Sequence, residues 1–333
     1  MDGEGKVAGE GKADGDREPG GPAVGRLLLP TLPSPVEELA DERLIVKGVG
    51  LLLKRDDLIH PDIPGNKWHK LRGNLDEARR LGHDTLLTFG GAYSNHIRAV
   101  VVVAAGRLFG VRTVGVIRGE EHLPLNPTLR FAVDAGMRLT YLDRTSYRTK
   151  TSPAIVDRLR AEFGAFYLLP EGGSNALGVR GCAELPAEID RPFDVICCSC
   201  GTGGTLAGIA AGLGSGQRAL GVPVLRGARF LADEVDALQR AAFGANSGNW
   251  TMAYDFHFGG YARSTPALAR FIADFHDRHG LALEPVYEAK LLYALLALAE
   301  ADAFPTGTTV VAVLNAMADG PGPDARREDR PPG

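Results

Sequence analysis

Three short segments of this sequence combine residue types that could do chemistry. Lys67 follows a Pro-Gly turn and precedes Trp68. The segment 90–96 reads Gly-Gly-Ala-Tyr-Ser-Asn-His, and 201–208 reads Gly-Thr-Gly-Gly-Thr-Leu-Ala-Gly. A lysine amine attacks aldehydes well when burial or neighbouring cations suppress its charge. A lysine, a hydroxyl and amide turn and a lysine-free glycine loop together suggest pyridoxal phosphate held as a Schiff base on Lys67.

The glycine loop follows an apolar segment at 193–198 and precedes a helical pattern. Glycine lets the backbone approach a phosphate closely, and the N–H groups at a helix start point toward an anion. A P-loop would need Gly-Lys-Ser/Thr, and a dinucleotide fingerprint would need a third glycine where Leu206 stands. A monophosphate cradle fits best, and a glycine turn without a ligand is the alternative. The cradle would consist of Gly201, Thr202, Gly203, Gly204 and Thr205.

The turn at Ser94 and Asn95 lies where a predicted strand gives way to a helix. Its position alone favours Ser94 as a helix N-cap. The same N–H groups and the Ser94 hydroxyl could instead hold a substrate carboxylate, and Asn95 could bond the phenolic oxygen of a pyridoxal ring. We interpret His96 as a helix-start residue rather than a base.

The environment of Lys67 bears on its reactivity. We expect Lys67 at a junction between a loop and a helix over 71–81. Cations that could lower its charge are His69, Lys70 and the pair Lys54-Arg55.

The elements that must position these residues follow an α/β pattern, in which short apolar runs alternate with helical stretches. A βαβαβ unit is predicted over 81–169, with strands at 85–89, 113–117 and 138–142 and helices at 95–108 and 127–135. A second series has strands at 193–198, 222–225 and 309–314 and helices at 205–213, 265–279 and 287–301. We therefore predict a small domain, 81–169, inserted into a large domain, 26–80 plus 170–317, with the site in the crevice at the strand ends.

The bulk composition excludes several classes of protein. The 333 residues carry a net charge of −4, which gives no reason to expect a nucleic-acid partner, and 44% are hydrophobic, enough for two cores. No apolar run reaches the about 18 residues of a membrane span. The polar, glycine-rich ends, 1–25 and 318–333, are predicted to be disordered, and the first resembles no targeting signal, so we expect a cytoplasmic protein.

The four cysteines form neither a disulfide framework nor a zinc pattern. Cys197, Cys198 and Cys200 crowd on one predicted strand, and Cys182 alone does not complete a ligand set. We interpret them as small buried residues and expect no metal.

At these residues the chain resembles the pyridoxal-phosphate enzymes of the tryptophan synthase β type, fold type II. Within them it is similar to the 1-aminocyclopropane-1-carboxylate (ACC) deaminase / D-cysteine desulfhydrase family. The order and spacing of the matching segments carry the resemblance, which implies a two-lobed, three-layer αβα fold with mostly parallel sheets, and a homodimer. The segments are 54–58, 65–67, 94–96, 170–175, 201–208, 258–261 and 284–288.

The resemblance also implies roles for individual residues. Lys67 would carry the Schiff base and move protons, Ser94 and Asn95 would hold the substrate carboxylate and the ring oxygen, and the loop 201–205 would bind the phosphate. Tyr261 and Tyr287 would face the substrate, one of them as nucleophile or proton relay, and Glu288 would contact the pyridine nitrogen. Taken singly, either tyrosine could be a packing residue and Glu288 an exposed acid at a helix start.

Three details bear on the substrate. In the deaminase branch, the resemblance implies, a glutamate stands at position 288 with an apolar residue near the last strand, where the desulfhydrase branch tends to have hydroxyls. This chain has Glu288, but its last strand is followed by Asn315-Ala316-Met317-Ala318 instead of a turn such as His-Thr-Gly-Gly, and Tyr93 replaces a common glutamine. These departures put the far wall of the cofactor site and the substrate in question.

We expect an enzyme that releases ammonia from a small amino acid to give a 2-oxo acid, with ACC, D-cysteine or another small D-amino acid as substrate. The alternatives are a catalytically altered pyridoxal-phosphate-binding protein of the same fold, or a dehydratase or lyase for another small amino acid. A kinase or dehydrogenase is disfavoured by the glycine loop.

Overall fold

The computed structural model describes residues 30–61, 63, 65–105 and 110–316, with 102–105 described by their backbone alone. The tails predicted at 1–25 and 318–333, and the residues Pro64 and Met317, lie outside this part of the chain. Every element discussed below belongs to the described residues.

The described chain contains ten strands that form two sheets. All but one of the neighbouring strand pairs are parallel, since only β1 runs antiparallel to β2. The strands are β1 (Val36–Glu38), β2 (Gly50–Arg55), β3 (Thr85–Gly90), β4 (Arg112–Arg118), β5 (Arg138–Leu142), β6 (Tyr167–Leu169), β7 (Val195–Cys200), β8 (Arg218–Pro223), β9 (Trp250–Met252) and β10 (Thr309–Leu314).

Helices connect these strands in the alternating pattern that the sequence predicted. Those at 127–135, 265–279 and 287–301 were predicted to within one residue at each end. The helices are α1 (Glu42–Ile45), α2 (Asn66–Arg80), α3 (Asn95–Ala105), α4 (Pro127–Asp134), α5 (Arg144–Arg148), α6 (Pro153–Phe163), α7 (Ala176–Cys182), α8 (Gly204–Ala211), α9 (Leu231–Phe243), α10 (Pro266–His279) and α11 (Glu288–Glu300).

The larger sheet has the strand order β1-β2-β10-β7-β8-β9. Alternate residues along its strands enter two different cores, as a sheet covered on both faces requires. Val310 and Ala312 pack with α10 and α11, whereas Val311 and Val313 pack with α8 and α9. The result is a three-layer αβα arrangement, which confirms the predicted fold class.

The smaller sheet has the order β5-β4-β3-β6, and all its strands lie within 85–169. Leu86 and Ile117 face a core shared with α3 and α4, while Leu87 and Val116 face the core that contains Leu159 of α6. This sheet falls inside the segment predicted as a small domain.

Helix α2 joins the two halves of the molecule. Leu71, Leu75 and Ala78 are buried in the core of the smaller sheet, although α2 precedes the predicted boundary at residue 81. On its other side α2 packs closely against α7, where a Cβ added at Gly181 would clash with the carbonyl oxygen of His69. The domain boundary between residues 80 and 81 stays a prediction. Helix α2 packs against elements on both sides of that boundary.

The structure bears on the predictions about the cysteines and about membrane-spanning segments. Cys182, Cys197, Cys198 and Cys200 are buried with free thiols, and the last three lie on β7, as the sequence predicted. Among the helices in the described residues, none combines the length and the apolar character needed to cross a membrane.

Candidate active site

A cavity of about 390 Å³ lies between the two sheets. Its walls are segments that follow the carboxyl ends of β3, β7 and β10, where ligands bind in open parallel sheets. Of the residues predicted for the site, only Gly204 does not line it. Those that do are Lys67, Ser94, Asn95, Gly201, Thr202, Gly203, Thr205, Tyr261, Tyr287 and Glu288.

A second cavity, of about 500 Å³, lies beside β8 and β9. It is lined by Trp250, Tyr254 and Phe304 among others, and it contains none of the predicted site residues. The predicted site residues therefore belong to the smaller cavity alone among these two.

Lys67 is the second residue of α2, whose start differs from the prediction. We expected the helix to begin at Leu71, but it begins at Asn66. The backbone N–H of Asn66 donates to Oδ1 of Asn315 over 3.0 Å, so a residue from the other end of the chain caps the helix. Local sequence does not contain this cap, which is why the helix start was misplaced.

The amine of Lys67 lies in a setting that favours its neutral form. Burial, together with the charge of Lys70, lowers the pKa of Lys67 to about 7. Nζ donates to Oδ1 of Asn66 over 2.6 Å, and Nδ2 of Asn66 donates to Oγ1 of Thr205 over 2.9 Å. A chain of hydrogen bonds therefore connects the lysine to the glycine loop.

Lys70 also lies at the site, although the sequence analysis considered it only as a positive charge near Lys67. It lies one helical turn after Lys67, is buried and lines the cavity. Its Nζ donates to Oγ of Ser174 over 3.2 Å, and that hydroxyl shares a hydrogen bond of 2.6 Å with Oγ1 of Thr202. The three-residue spacing from Lys67 on one helix was the signal that could have identified it.

The other candidate cations do not reach the cavity. Lys54 forms ion pairs with Asp56 and Glu188, at 3.1 and 2.8 Å, and Nε2 of His69 lies 3.4 Å from Oδ2 of Asp56. Arg55 pairs with Asp57 and Glu37. The expectation that these cations act on Lys67 is not supported, because each is engaged with carboxylates elsewhere.

The glycine loop has the geometry of an anion cradle. Gly203 adopts a left-handed conformation, φ 77°, and caps α8, which begins at Gly204. A Cβ at Gly204 would lie 2.5 Å from Oγ of Ser174 and 3.2 Å from Nζ of Lys70, so the absence of a side chain at Gly204 makes room for Ser174 and places Nζ of Lys70 beside the loop. Free N–H groups at the start of α8 and a buried ammonium thus face the same space.

The Ser94 turn serves as a cap and also faces the cavity. The Ser94 hydroxyl accepts a hydrogen bond from the N–H of Ile97 over 3.4 Å, as an N-cap does. Ser94 and Asn95 both line the cavity, so the cap and the predicted carboxylate site occupy the same turn.

The hydrogen bonds of His96 determine its tautomer. Oγ1 of Thr88 donates its one proton to the carbonyl oxygen of Leu169 over 2.9 Å. Nε2 of His96, 2.8 Å from that hydroxyl oxygen, must therefore be the donor, and Nδ1 is an acceptor that has no partner among the described residues. Burial and the nearby lysines hold the pKa of His96 well below its ordinary value, so the ring is neutral.

Glu288 is buried at the start of α11 rather than exposed there. Its Oε1 accepts the N–H of Asn315 over 3.0 Å, while Oε2 has no partner among the described residues. Burial raises the pKa of Glu288 well above its ordinary value. A carboxyl oxygen without a partner, facing the cavity, suits contact with a heterocyclic nitrogen.

Tyr261 and Tyr287 form an edge-to-face pair with ring centroids 6.1 Å apart. Glu284 holds the segment before α11, accepting the N–H groups of Val286 and Tyr287 over 2.9 and 2.8 Å. Nζ of Lys290 donates to the carbonyl oxygens of His257 and Gly260, which fixes the loop that carries Tyr261. Burial raises the pKa of both tyrosines, so each hydroxyl keeps its proton.

The mouth of the cavity carries charged and aromatic residues that the sequence analysis did not single out, apart from Tyr93. Tyr93 is 67% exposed at the rim. The guanidinium groups of Arg118 and Arg144 also line this region, as do Glu120 and Glu171. No local motif marks either arginine, since their proximity arises from the pairing of β4 with β5.

Comparisons with known proteins show the family of this chain. The family model described as "Pyridoxal-phosphate dependent enzyme" matches residues 29–316. A putative 1-aminocyclopropane-1-carboxylate deaminase of Pyrococcus horikoshii is 32% identical over 262 residues, which cover 76% of this chain and 80% of that protein. A D-cysteine desulfhydrase of Salmonella paratyphi B is 30% identical over 295 residues, which cover 81% and 87%.

A solved structure has a similar fold. The crystal structure of an ACC deaminase homologue superimposes with a TM-score of 0.75 at 28% identity, covering 87% of this chain and 91% of that one.

Proposed function

We propose that this chain, which belongs to the pyridoxal-phosphate dependent enzyme family, releases ammonia from a small amino acid to leave a 2-oxo acid. The relatives named as ACC deaminase and D-cysteine desulfhydrase support this class of reaction. The single observation that carries the proposal is one cavity that joins Lys67, the glycine loop and the unpartnered oxygen of Glu288.

The residues present fit the cofactor of the family. A cradle of N–H groups at the start of α8, with Lys70 beside it, suits a phosphate monoester. The buried carboxyl of Glu288, whose Oε2 has no partner among the described residues, suits a pyridine nitrogen, and Asn95 lies on the wall of the same cavity for the ring oxygen. When bound, pyridoxal phosphate supplies an electron sink for a carbanion at the α-carbon.

Lys67 is proposed as the residue that holds the cofactor covalently and later moves protons. With a pKa of about 7, a large share of this amine is neutral at physiological pH and able to attack an aldehyde. The same amine, once free, is a base for the α-proton of the substrate. Its hydrogen bond to Asn66 holds Nζ toward the glycine loop.

The remaining residues would orient the substrate and donate protons. The Ser94 turn presents a hydroxyl and N–H groups at the start of α3 for the α-carboxylate. Tyr261 and Tyr287 are proposed to donate protons to the departing group or the opening ring, because both hydroxyls stay protonated. With a β-leaving group, Lys67 would take the α-proton, the electron pair of that bond would form a Cα–Cβ double bond, and the leaving group would depart with the electrons of its bond to Cβ. Addition of a proton at Cβ and hydrolysis of the resulting imine by water would then give ammonia and the 2-oxo acid.

We also propose that the protein acts as a cytoplasmic homodimer. The four buried free thiols suit a reducing compartment, and the homodimer is what the sequence resemblance implies.

A spectroscopic and product assay would test the proposal. The purified protein, as isolated and after reconstitution with pyridoxal phosphate, should show the visible absorbance of a bound cofactor, and Lys67→Ala should lose it. Ammonia release should then be measured for ACC and for the D- and L-forms of cysteine, serine and alanine. A protein without cofactor absorbance after reconstitution would refute the proposal. Cofactor absorbance without ammonia from any substrate would favour the alternative, a binding protein of the same fold.

A further inference from the structure

Two arginines meet at the mouth of the cavity through the geometry of the smaller sheet. Arg118 is the last residue of β4 and pairs in register with Leu142, the last residue of β5. Arg144 follows two residues later, at the start of α5. Because parallel strands end at the same edge of a sheet, both guanidinium groups reach the cavity wall.

Two glycines mark where these side chains lie against the rim. A Cβ at Gly91 would be 3.6 Å from Nη2 of Arg118, which places this guanidinium beside the turn that leads to Ser94. Gly119 has a φ of 65°, and a Cβ there would be 3.8 Å from Cγ and Nε of Arg144. Cζ of Arg118 also lies 5.8 Å from the ring centroid of Tyr147. Burial raises the pKa of Tyr261, and the charge of Arg118 partly opposes that rise, so the guanidinium lies near this tyrosine.

The arginines have no carboxylate partner. Within the described residues, no Asp or Glu oxygen lies within 4.0 Å of either guanidinium. Glu171, which lines the same wall, forms its ion pair with Lys150 at 3.1 Å. At the mouth, among the described residues, Glu120 is the carboxylate left without an ion pair, against two guanidinium groups, while Lys67, Lys70 and Glu288 lie deeper. The mouth of the cavity therefore carries excess positive charge.

We propose that Arg118 and Arg144 bind a second anionic group on the substrate, so that the preferred substrates are small amino acids with an acidic side chain. This inference rests on the proposed function. The α-carboxylate already has the Ser94 turn, and both arginines are exposed at the rim, so an anionic side chain on the substrate would supply the counter-charge that the protein does not. Carboxylate, sulfonate, sulfinate and phosphate groups share the clustered oxygen acceptors that a guanidinium binds bidentately.

Kinetics of the holoenzyme on matched substrates test this directly. Neutral serine and cysteine would be compared with aspartate, cysteate, cysteine sulfinate and O-phosphoserine, in both enantiomers. We expect at least one acidic substrate to exceed the neutral ones in kcat/KM. Arg118→Gln and Arg144→Gln should each reduce kcat/KM for that substrate about 10- to 100-fold, and leave the neutral ones within about threefold, since a hydrogen bond to a charged group is lost.

The control is Arg148→Gln, because Arg148 is exposed on the same helix as Arg144 but does not line the cavity. This variant should leave unchanged the ratio of kcat/KM for acidic substrates to kcat/KM for neutral substrates. Arg118→Lys and Arg144→Lys keep the charge but lose the bidentate geometry, and they replace the glutamine variants if those fail to fold.

A second measurement does not depend on turnover. Thermal unfolding of the full-length apoprotein would be followed with malonate, a small dianion, and with acetate, a monoanion. Malonate should raise the melting temperature more than acetate does, and Arg118→Gln should remove the difference while Arg148→Gln keeps it.

The two proposals fail in distinguishable ways. Equal or better turnover of neutral substrates, with an unchanged ratio in both arginine variants, would overturn the acidic-substrate inference and leave the proposed function standing. If the protein does not load the cofactor, the proposed function fails, and the malonate difference then decides alone whether an anion site exists. No malonate difference in that case would overturn the inference as well.

Discussion

The backbone N–H of Asn315 donates a hydrogen bond to Oε1 of Glu288 over 3.0 Å, while the Asn315 side chain accepts the N–H of Asn66 over 3.0 Å. One residue after the last strand thus fixes both the buried carboxyl and the helix that carries Lys67. Gly65 completes the contact, because a Cβ there would lie 2.7 Å from Cα of Asn315. The segment that departs most from the family pattern is therefore a structural wall of the cavity.

Asn315→Ala should weaken the start of α2 and displace Lys67. The loss of one cap should cost about 1 kcal/mol of unfolding free energy, and cofactor affinity should fall with it. Chemical denaturation and cofactor titration measure the two effects. Thr265→Ala removes a comparable cap from α10, away from the cavity, and should reduce stability without changing cofactor affinity. Equal cofactor affinity in both variants would contradict the assigned role of Asn315.

Glu288→Gln should separate stability from catalysis. Because burial raises the pKa of Glu288 and its Oε2 has no partner among the described residues, glutamine should be tolerated in the fold, but kcat should fall about 100-fold when the ring nitrogen loses its acidic partner. A carboxyl with a raised folded pKa stabilises the protein fully below its unfolded value, near 4.5, and this contribution is lost as pH rises toward the folded value. The wild-type apoprotein should therefore lose stability relative to Glu288→Gln above about pH 5, as denaturation at several pH values would reveal.

Lys67 and Lys70 should differ in how they hold the cofactor. Reduction of the holoenzyme with borohydride, followed by peptide mass spectrometry, should place the label on Lys67. Lys70→Met should retain that label but bind pyridoxal phosphate at least tenfold more weakly, because a buried ammonium beside the phosphate cradle is lost. The same variant should bind pyridoxal, which lacks the phosphate, as the wild type does. A label on Lys70 would overturn the assignment.

Cofactor loading should depend on pH through Lys67. Since burial lowers the pKa of this amine to about 7, the loading rate of the apoprotein should rise with pH up to that value and level off above about pH 8. Stopped-flow absorbance measures the rate. An ordinary exposed lysine would give a rate that keeps rising toward pH 10, and such a profile would refute the lowered pKa.

Two glycines lie at the close contact between α2 and α7, and substituting each by alanine should have opposite effects on stability. Gly181→Ala should destabilise the protein by about 1–3 kcal/mol or more, because its Cβ would clash with the carbonyl oxygen of His69. Gly73→Ala lies on the opposite side of the same interface, where the nearest atom, the carbonyl oxygen of Leu177, is 3.7 Å away. It should instead stabilise α2 by about 1 kcal/mol, since alanine is the better helix former. Urea denaturation of both variants checks the opposite signs.

Local sequence predicted an element correctly where the residues that form the sequence pattern are also the residues that stabilise the element. The strands at 138–142 and 309–314 and the helix at 127–135 follow from apolar periodicity and from caps close in the chain. The glycine loop and the Ser94 turn were found for the same reason, because each adjoins a strand end. The start of α2 was misplaced because its cap, Asn315, is 249 residues away.

The sequence by itself determined the fold class, the cofactor family and the residues that converge on one cavity, since these depend on short motifs in a fixed order. Only the tertiary structure decided the direction in which the pKa values of Lys67, Glu288 and His96 shift, the position of Lys70 beside the glycine loop, and the presence of Arg118 and Arg144 at one cavity mouth. The physical reason is that burial and the distances between charges set pKa values and electrostatic fields. Both arise from packing between residues far apart in the chain, and no local pattern contains them.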